Sequence, residues 1–132
     1  GLSMLQLTPQ SRVFLAREPA DFRRGIDGLA ALCRQRLGED PMAGAIFVFR
    51  NRRGTSLKLL CYDGQGFWLC HKRLSSGRFR WWPSSVRGTK AAKTLAAHQL
   101  QVLLSAGDPT SAQGAPVWRP VGASNGSRPG KN

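Results

Sequence analysis

Carboxylates are scarce in this chain: Asp and Glu number 7 against 20 Lys and Arg, for a formal net charge of +13 in 132 residues. The seven are Glu18, Asp21, Asp27, Glu39, Asp40, Asp63 and Asp108. Phosphodiester cleavage needs carboxylates that converge on two metal ions about 4 Å apart, and most of these have simpler roles. Asp21 reads as a helix cap, Asp63 as a turn residue and Glu39-Asp40 as a solvated loop. Asp27 is the least explained, with an ion pair to Arg23 or Arg24 as its plainest role. Histidines number 2 and cysteines 3, without the paired spacing of a zinc site. Cys70 and His71 are adjacent on an expected strand, so they point to opposite faces and cannot share a ligand. A P-loop is absent, since Gly64 and Gly66 belong to a hairpin. No cofactor or metal is implied, and the expected class is non-enzymatic.

Long apolar runs are also missing. None approaches the roughly 18 residues that would span a bilayer, and no charged-then-apolar leader opens the chain. The expectation is a cytoplasmic, nucleoid-associated protein in which Cys33, Cys61 and Cys70 are reduced core thiols. Gly1, Leu2 and Ser3 precede Met4 and read as an appended scar. Internal repeats are absent as well.

Positive charge is abundant. Between Arg50 and Lys93 stand eleven Lys/Arg and one carboxylate, Asp63, a net charge of +10 for that window. Tyr62, Phe67, Trp68, Phe79, Trp81 and Trp82 are interleaved with the cations. A field of that sign attracts polyanions, and flat rings among the cations offer stacking surfaces, so nucleic acid is the first partner indicated. The simpler account of each single cation is a solvated surface charge. As a group they fit a surface that contacts phosphate with little base specificity. Arg52 and Arg53 lie on a tight turn, Arg78 and Arg80 share one strand face, and Arg50, Lys58, Lys72 and Arg73 extend the track. Arginine suits this role because its planar fork engages phosphate oxygens in pairs. Trp81 reads as core, and Trp82 as a residue available to stack or to anchor a partner.

One domain is expected over residues 4–106, followed by a Gly/Pro/Ser-rich tail over 107–132 that is flexible or ordered by a partner, with Trp118 as its anchor. Arg12 to Ala16 reads as a strand. Phe22, Ile26, Leu29, Cys33 and Leu37 recur at helical spacing, with Asp21 as the N-cap and Gly38 as the stop. Gly25 and Gly28 fall inside that helix, where they would let another backbone approach. Strands follow at Ala45–Arg50, around Leu57, Leu59 and Cys61, at Phe67–Leu74 and at Arg78–Trp82. Asn51–Gly54, Asp63–Gly66 and Ser75–Gly77 supply the turns. Pro83 to Lys93 reads as a basic connector, and Thr94 as the cap of a second helix reaching Ala106. The fold class is α+β: an antiparallel meander of four to five strands whose apolar face packs on one long helix, plus a short C-terminal helix.

Several segments, taken in order, carry a family resemblance: Phe22-Arg23-Arg24-Gly25-Ile26-Asp27-Gly28-Leu29, Ile46-Phe47-Val48-Phe49-Arg50-Asn51-Arg52-Arg53-Gly54, and Leu57-Lys58-Leu59-Leu60-Cys61-Tyr62-Asp63-Gly64. Then come Gly66-Phe67-Trp68-Leu69, Lys72-Arg73-Leu74 and Gly77-Arg78-Phe79-Arg80-Trp81. Over residues 4 to 107 the chain resembles the TnpB-type accessory proteins of the bacterial insertion-sequence sixty-six group, encoded by its second reading frame. The resemblance implies a helper of transposition that works beside a separate, larger transposase holding the acidic catalytic residues. The stretch after Trp82 departs from the pattern. Two partners follow as expectations, the DNA of the element ends and the transposase of the same element. The alternatives are a protein-only adaptor whose positive surface docks the transposase, and a metal-dependent enzyme that cleaves nucleic acid.

Overall fold

The computed structural model describes residues 12–108. The expectations for Gly1–Ser3, for Trp118 and for most of the tail lie outside them. Five strands and two helices follow the order β1 Val13–Ala16, α1 Ile26–Leu32, β2 Ile46–Arg50, β3 Ser56–Tyr62, β4 Phe67–Arg73, β5 Ala92–Leu95 and α2 Ala97–Leu104. The strands form one sheet in the order β4-β3-β2-β1-β5. β2, β3 and β4 are an antiparallel meander, whereas β1 runs parallel to β2 and β5 antiparallel to β1. The sheet is therefore mixed, which corrects the all-antiparallel expectation. A parallel neighbour requires a crossover rather than a hairpin, and α1 lies within that crossover.

Period-two alternation assigns each strand residue to one face. Val13, Leu15, Ile46, Val48, Leu57 and Leu59 face Leu100, Leu103 and Leu104 of α2, while Phe79, Trp81 and Trp82 pack against the same cluster. Phe47, Phe49, Leu60 and Ala16 point the other way, toward Leu29, Ala30 and Cys33 of α1. Both faces are covered, which corrects the expectation of one buried face under one helix. It also explains why β2 is apolar up to Arg50: Ile46 to Phe49, and Ala45 before them, are all buried.

The helix is shorter than its pattern suggested. Phe22 packs in the α1 cluster without being helical. The N-cap is Gly25, and the last turn, Cys33–Leu37, is π-helical before Gly38 closes it at φ 68°. Asp21 is not the cap. Its Oδ1 accepts the Arg23 backbone N–H at 2.9 Å, and its carboxylate pairs with the Arg23 side chain. That contact holds its pKa well below the usual range. Gly25 thus lies outside the helix with open space around it, and a Cβ at Gly28 would meet the Arg24 side chain at 3.1 Å rather than another backbone.

Arg78–Trp82 is not a strand. Its alternation reflects an irregular segment laid on the core: the Phe79 N–H donates to the Gly54 carbonyl at 2.8 Å, and the Trp82 indole to the Ala16 carbonyl at 2.9 Å. Thr94 is not a helix cap but part of β5, paired with Phe14. The cap of α2 is Ala96, whose N–H is accepted by the Gln99 side chain at 2.9 Å.

Candidate nucleic-acid interface

Strand polarity sorts the charges. β1, β2 and β4 finish, and β3 and β5 begin, at one end of the sheet. Segments 17–25, 51–55 and 73–91 therefore meet there. They carry Arg17, Arg23, Arg24, Arg52, Arg53, Arg73, Arg78, Arg80, Arg87 and Lys90, against Glu18 and Asp21 as the carboxylates. The connections at the opposite end, 38–45 and 63–66, carry Glu39, Asp40 and Asp63 and neither Lys nor Arg, and the cation beside them is Arg12, whose Nη2 donates to the Ala43 carbonyl at 3.1 Å. The domain is thus a charge dipole along the strands.

Local geometry presents the arginines. Asn51 organises the β2–β3 turn: its Oδ1 accepts the N–H groups of Thr55 and Ser56 at 2.9 and 3.1 Å, and its Nδ2 donates to the Thr55 hydroxyl at 2.8 Å. Gly54 closes the turn onto the Asn51 carbonyl at 3.1 Å with φ 73°, a left-handed backbone that glycine adopts without Cβ strain. Arg52 and Arg53 occupy the two central positions and are exposed. The Leu74 N–H donates to the Thr55 carbonyl at 2.9 Å, and Phe79 is bonded to Gly54, so Arg73, Arg78 and Arg80 are held beside that turn. These five exposed arginines form one rim.

The other expected site residues have different surroundings. Lys58 and Lys72 lie on opposite faces of the sheet. Lys58 donates to the carbonyls of Phe22 and Arg24 at 2.9 and 3.1 Å and stands 5.0 Å over the Phe22 ring. Lys72 donates to the Leu104 carbonyl at the C-terminal end of α2, where a cation also complements the helix dipole. Arg50 is half-buried beneath the rim, 5.9 Å from the Trp82 ring, and its Nη1 donates to the carbonyls of Asn51 and Arg52, both at 3.3 Å. Burial and the nearby Arg52 charge lower its pKa, and its Nε has no partner among the described residues. Trp82 faces the core together with Phe79 and Trp81 rather than sharing the face of Arg78 and Arg80. Both lysines and Trp82 thus act first as ties between the sheet and the segments packed on it.

Sequence reasoning missed a second group. A cleft of about 660 Å³ opens between segment 16–21, the end of α1 and loop 85–91, and Arg17, Arg24, Arg36, Arg52, Arg87 and Lys90 line it. Arg17 ties the loop down, its Nε donating to the Lys90 carbonyl at 2.7 Å and its Nη1 to the Ser84 carbonyl at 3.0 Å. The signal available in the sequence was the basic character of 83–93; the contributions of Arg17, Arg24 and Arg36 required the fold.

Glu18, Asp21, Asp40 and Asp63 each accept a local hydrogen bond. Asp63 accepts the N–H groups of Gln65 and Gly66 and the Trp68 indole, which together lower its pKa. Asp27 sits exposed in the first turn of α1, and the ion pair of Arg23 is with Asp21 instead. Among the described residues no cluster of three or more His, Cys, Asp or Glu forms a metal site, and no helix is long and apolar enough to cross a membrane. The three cysteines are free thiols; burial pushes Cys33 up to about 12.

Comparison with known proteins matches residues 11–114 to the family described as IS66 Orf2 like protein. Two proteins of Sinorhizobium fredii (strain NBRC 101917 / NGR234) are similar, both described as uncharacterized. With y4jC the identity is 38% over 110 residues, covering 83% of this chain and 91% of that protein. With y4hO it is 40% over 118 residues, covering 89% and 97%. No solved structure matches. The matched span contains both helices, the whole sheet and the arginine rim, and the chain belongs to the IS66 Orf2-like family.

Proposed function

We propose that this protein is a non-catalytic accessory factor of transposition that grips DNA with the arginine end of its sheet and works beside the transposase of the same element. Family membership points to the accessory role in insertion-sequence transposition. The observation that carries the DNA reading is the segregation of charge by strand end: Arg52, Arg53, Arg73, Arg78 and Arg80 on one rim, Glu39, Asp40 and Asp63 at the other end.

A polyanion is drawn to the cationic end and turned away from the acidic one, which orients the encounter. The rim arginines are guanidinium forks on fastened backbone, suited to paired contacts with phosphate oxygens. Contacts of this kind position a protein on a duplex and carry little sequence information. Preference for element ends would then come from DNA shape or from the transposase.

The test is a variant in which Arg52, Arg53, Arg78 and Arg80 become Ala, assayed for binding to an element-end duplex and, separately, to the transposase. The reading predicts loss of duplex binding with transposase binding kept. Loss of transposase binding with duplex binding kept would establish the protein-only adaptor instead. Divalent-metal-dependent nicking that disappears in Asp27→Ala would replace both with an enzyme.

A further inference from the structure

The cleft beside the rim has a composition that the rim's role leaves unexplained. Its two carboxylates are already engaged: Asp21 by Arg23, and Glu18 by the Ser85 hydroxyl at 3.2 Å. The side chains of Arg36, Arg52, Arg87 and Lys90 line the same concavity without a hydrogen bond or ion pair to the described residues. Like charges gathered in a cleft repel one another and focus a positive field, and an anionic occupant relieves both. Arg87 is held in place, because the Thr89 N–H donates to the Val86 carbonyl at 3.1 Å and Gly88 takes φ 89°, which puts Arg87 at the tip of a turn. Arg17 fastens the two ends of that loop.

The lining also has an apolar side. Leu32 and Leu37 line the cleft half-buried at the end of α1, and Val86, 55% exposed, lines it from loop 85–91. A volume of 660 Å³ lies within the range of about 300–1,000 Å³ common to small-ligand sites, too confined for a duplex and ample for an unpaired nucleotide. Arg52 belongs to both the rim and the cleft, so a strand followed along the rim leads into it.

We infer that the cleft is a separate binding site for unpaired nucleotides, with Arg36, Arg52, Arg87 and Lys90 on the phosphates and the Leu32, Leu37 and Val86 surface against a base. This rests on the reading that the rim holds DNA, and it makes the protein a reader of junctions where a duplex opens into single strand. A cationic groove suits the backbone of single-stranded nucleic acid, and the apolar wall gives an unpaired base a surface against which to leave water. An acidic peptide offers carboxylates but no continuous polyanion to follow from rim to cleft.

The experiment uses the full chain and three labelled probes: 5′-phosphorylated tetrathymidylate, a blunt duplex and tetraglutamate. Each is titrated into the wild type and into Arg36→Ala/Arg87→Ala, two exposed positions, with thermal melting to check folding. Two lost contacts at a single-strand slope near −0.7 each predict tetrathymidylate binding weakened about 25-fold at 0.1 M salt. Duplex binding should change by less than about twofold, because all five rim arginines, Arg52 included, remain. Duplex binding without tetrathymidylate binding would overturn the cleft site and leave the rim standing. Tetrathymidylate binding without duplex binding would do the reverse. Tetraglutamate that binds the wild type as tightly, and loses as much in the variant, would reassign the cleft to an acidic protein segment.

Discussion

Lys72 and Arg73 are neighbours in sequence with opposite assignments, and replacing each by Met separates the scaffold from the interface. Lys72 donates to the Leu104 carbonyl at the end of α2, whereas Arg73 is exposed on the rim beside the β2–β3 turn. A hydrogen bond from a charged donor contributes about 1.5–3 kcal/mol when sheltered. Lys72 is exposed over much of its length, so about 1 kcal/mol is expected here, the helix-dipole interaction included. For a domain of this size that corresponds to a fall in melting temperature of about 4–8 °C. Duplex affinity should change by less than about twofold, since the charge removed is committed to the Leu104 carbonyl and makes no phosphate contact. Arg73→Met should invert the pattern. Stability stays within about 0.5 kcal/mol, as for surface substitutions generally. Losing one phosphate contact lowers the log–log salt slope by about 0.9, or about eightfold in affinity at 0.1 M salt. Thermal melting and fluorescence anisotropy on the same samples read both effects. Duplex affinity lost in Lys72→Met without a change in melting would refute the placement of this pair.

Trp82→Phe keeps a ring on the core but leaves the Ala16 carbonyl without its indole donor, and a drop of about 1 kcal/mol by chemical denaturation is expected. Ala106 takes a left-handed backbone at φ 62° just beyond α2, which costs a Cβ-bearing residue about 1–2 kcal/mol. Ala106→Gly should therefore stabilise the domain by about 0.5–1 kcal/mol after the extra chain entropy of glycine is subtracted. Burial raises the Cys33 thiol to about 12 from its ordinary 9.0, so its contribution is complete below pH 9 and is lost as pH climbs toward 12. Denaturation midpoints across that window should fall more steeply in the wild type than in Cys33→Ala, and Cys33 should resist thiol reagents at pH 8 in the native state.

Local signals and tertiary demands divided the fold between them. β2, β3 and β4 were legible because Asn51–Gly54 and Asp63–Gly66 are strong turn chemistry between apolar strands. The parallel pairing of β1 with β2 was not, because nothing in Val13–Ala16 reveals which neighbour it meets across 30 residues. β5 was invisible for a related reason: Ala92-Lys93-Thr94-Leu95 does not alternate and has Thr94 as its one β-branched residue, and pairing with β1 makes it a strand. Arg78–Trp82 had the alternation without the ladder, since a segment pressed on a core alternates whether or not its backbone pairs. The helical spacing began at Phe22 because that side chain shares the α1 cluster, although the helix starts at Ile26.

The site divided the same way. Arg52 and Arg53 were legible because a turn exposes whatever it carries, and Arg78 and Arg80 stayed exposed after their strand was lost. Lys58 and Lys72 looked identical to them by charge alone, and only tertiary contacts show that backbone carbonyls engage both ammonium groups. The cleft draws cations from Arg17 to Lys90, a spacing that no local pattern encodes.

The central claim is that the arginine end of the sheet grips the DNA backbone, and a salt series tests it most directly. Anisotropy of a labelled element-end duplex and of a scrambled duplex, each with the wild type, reads the number of phosphate contacts. The five rim arginines at about −0.9 each predict a log–log slope steeper than about −3 on both duplexes. A slope shallower than about −1, or no binding to either duplex at low salt, would contradict the account.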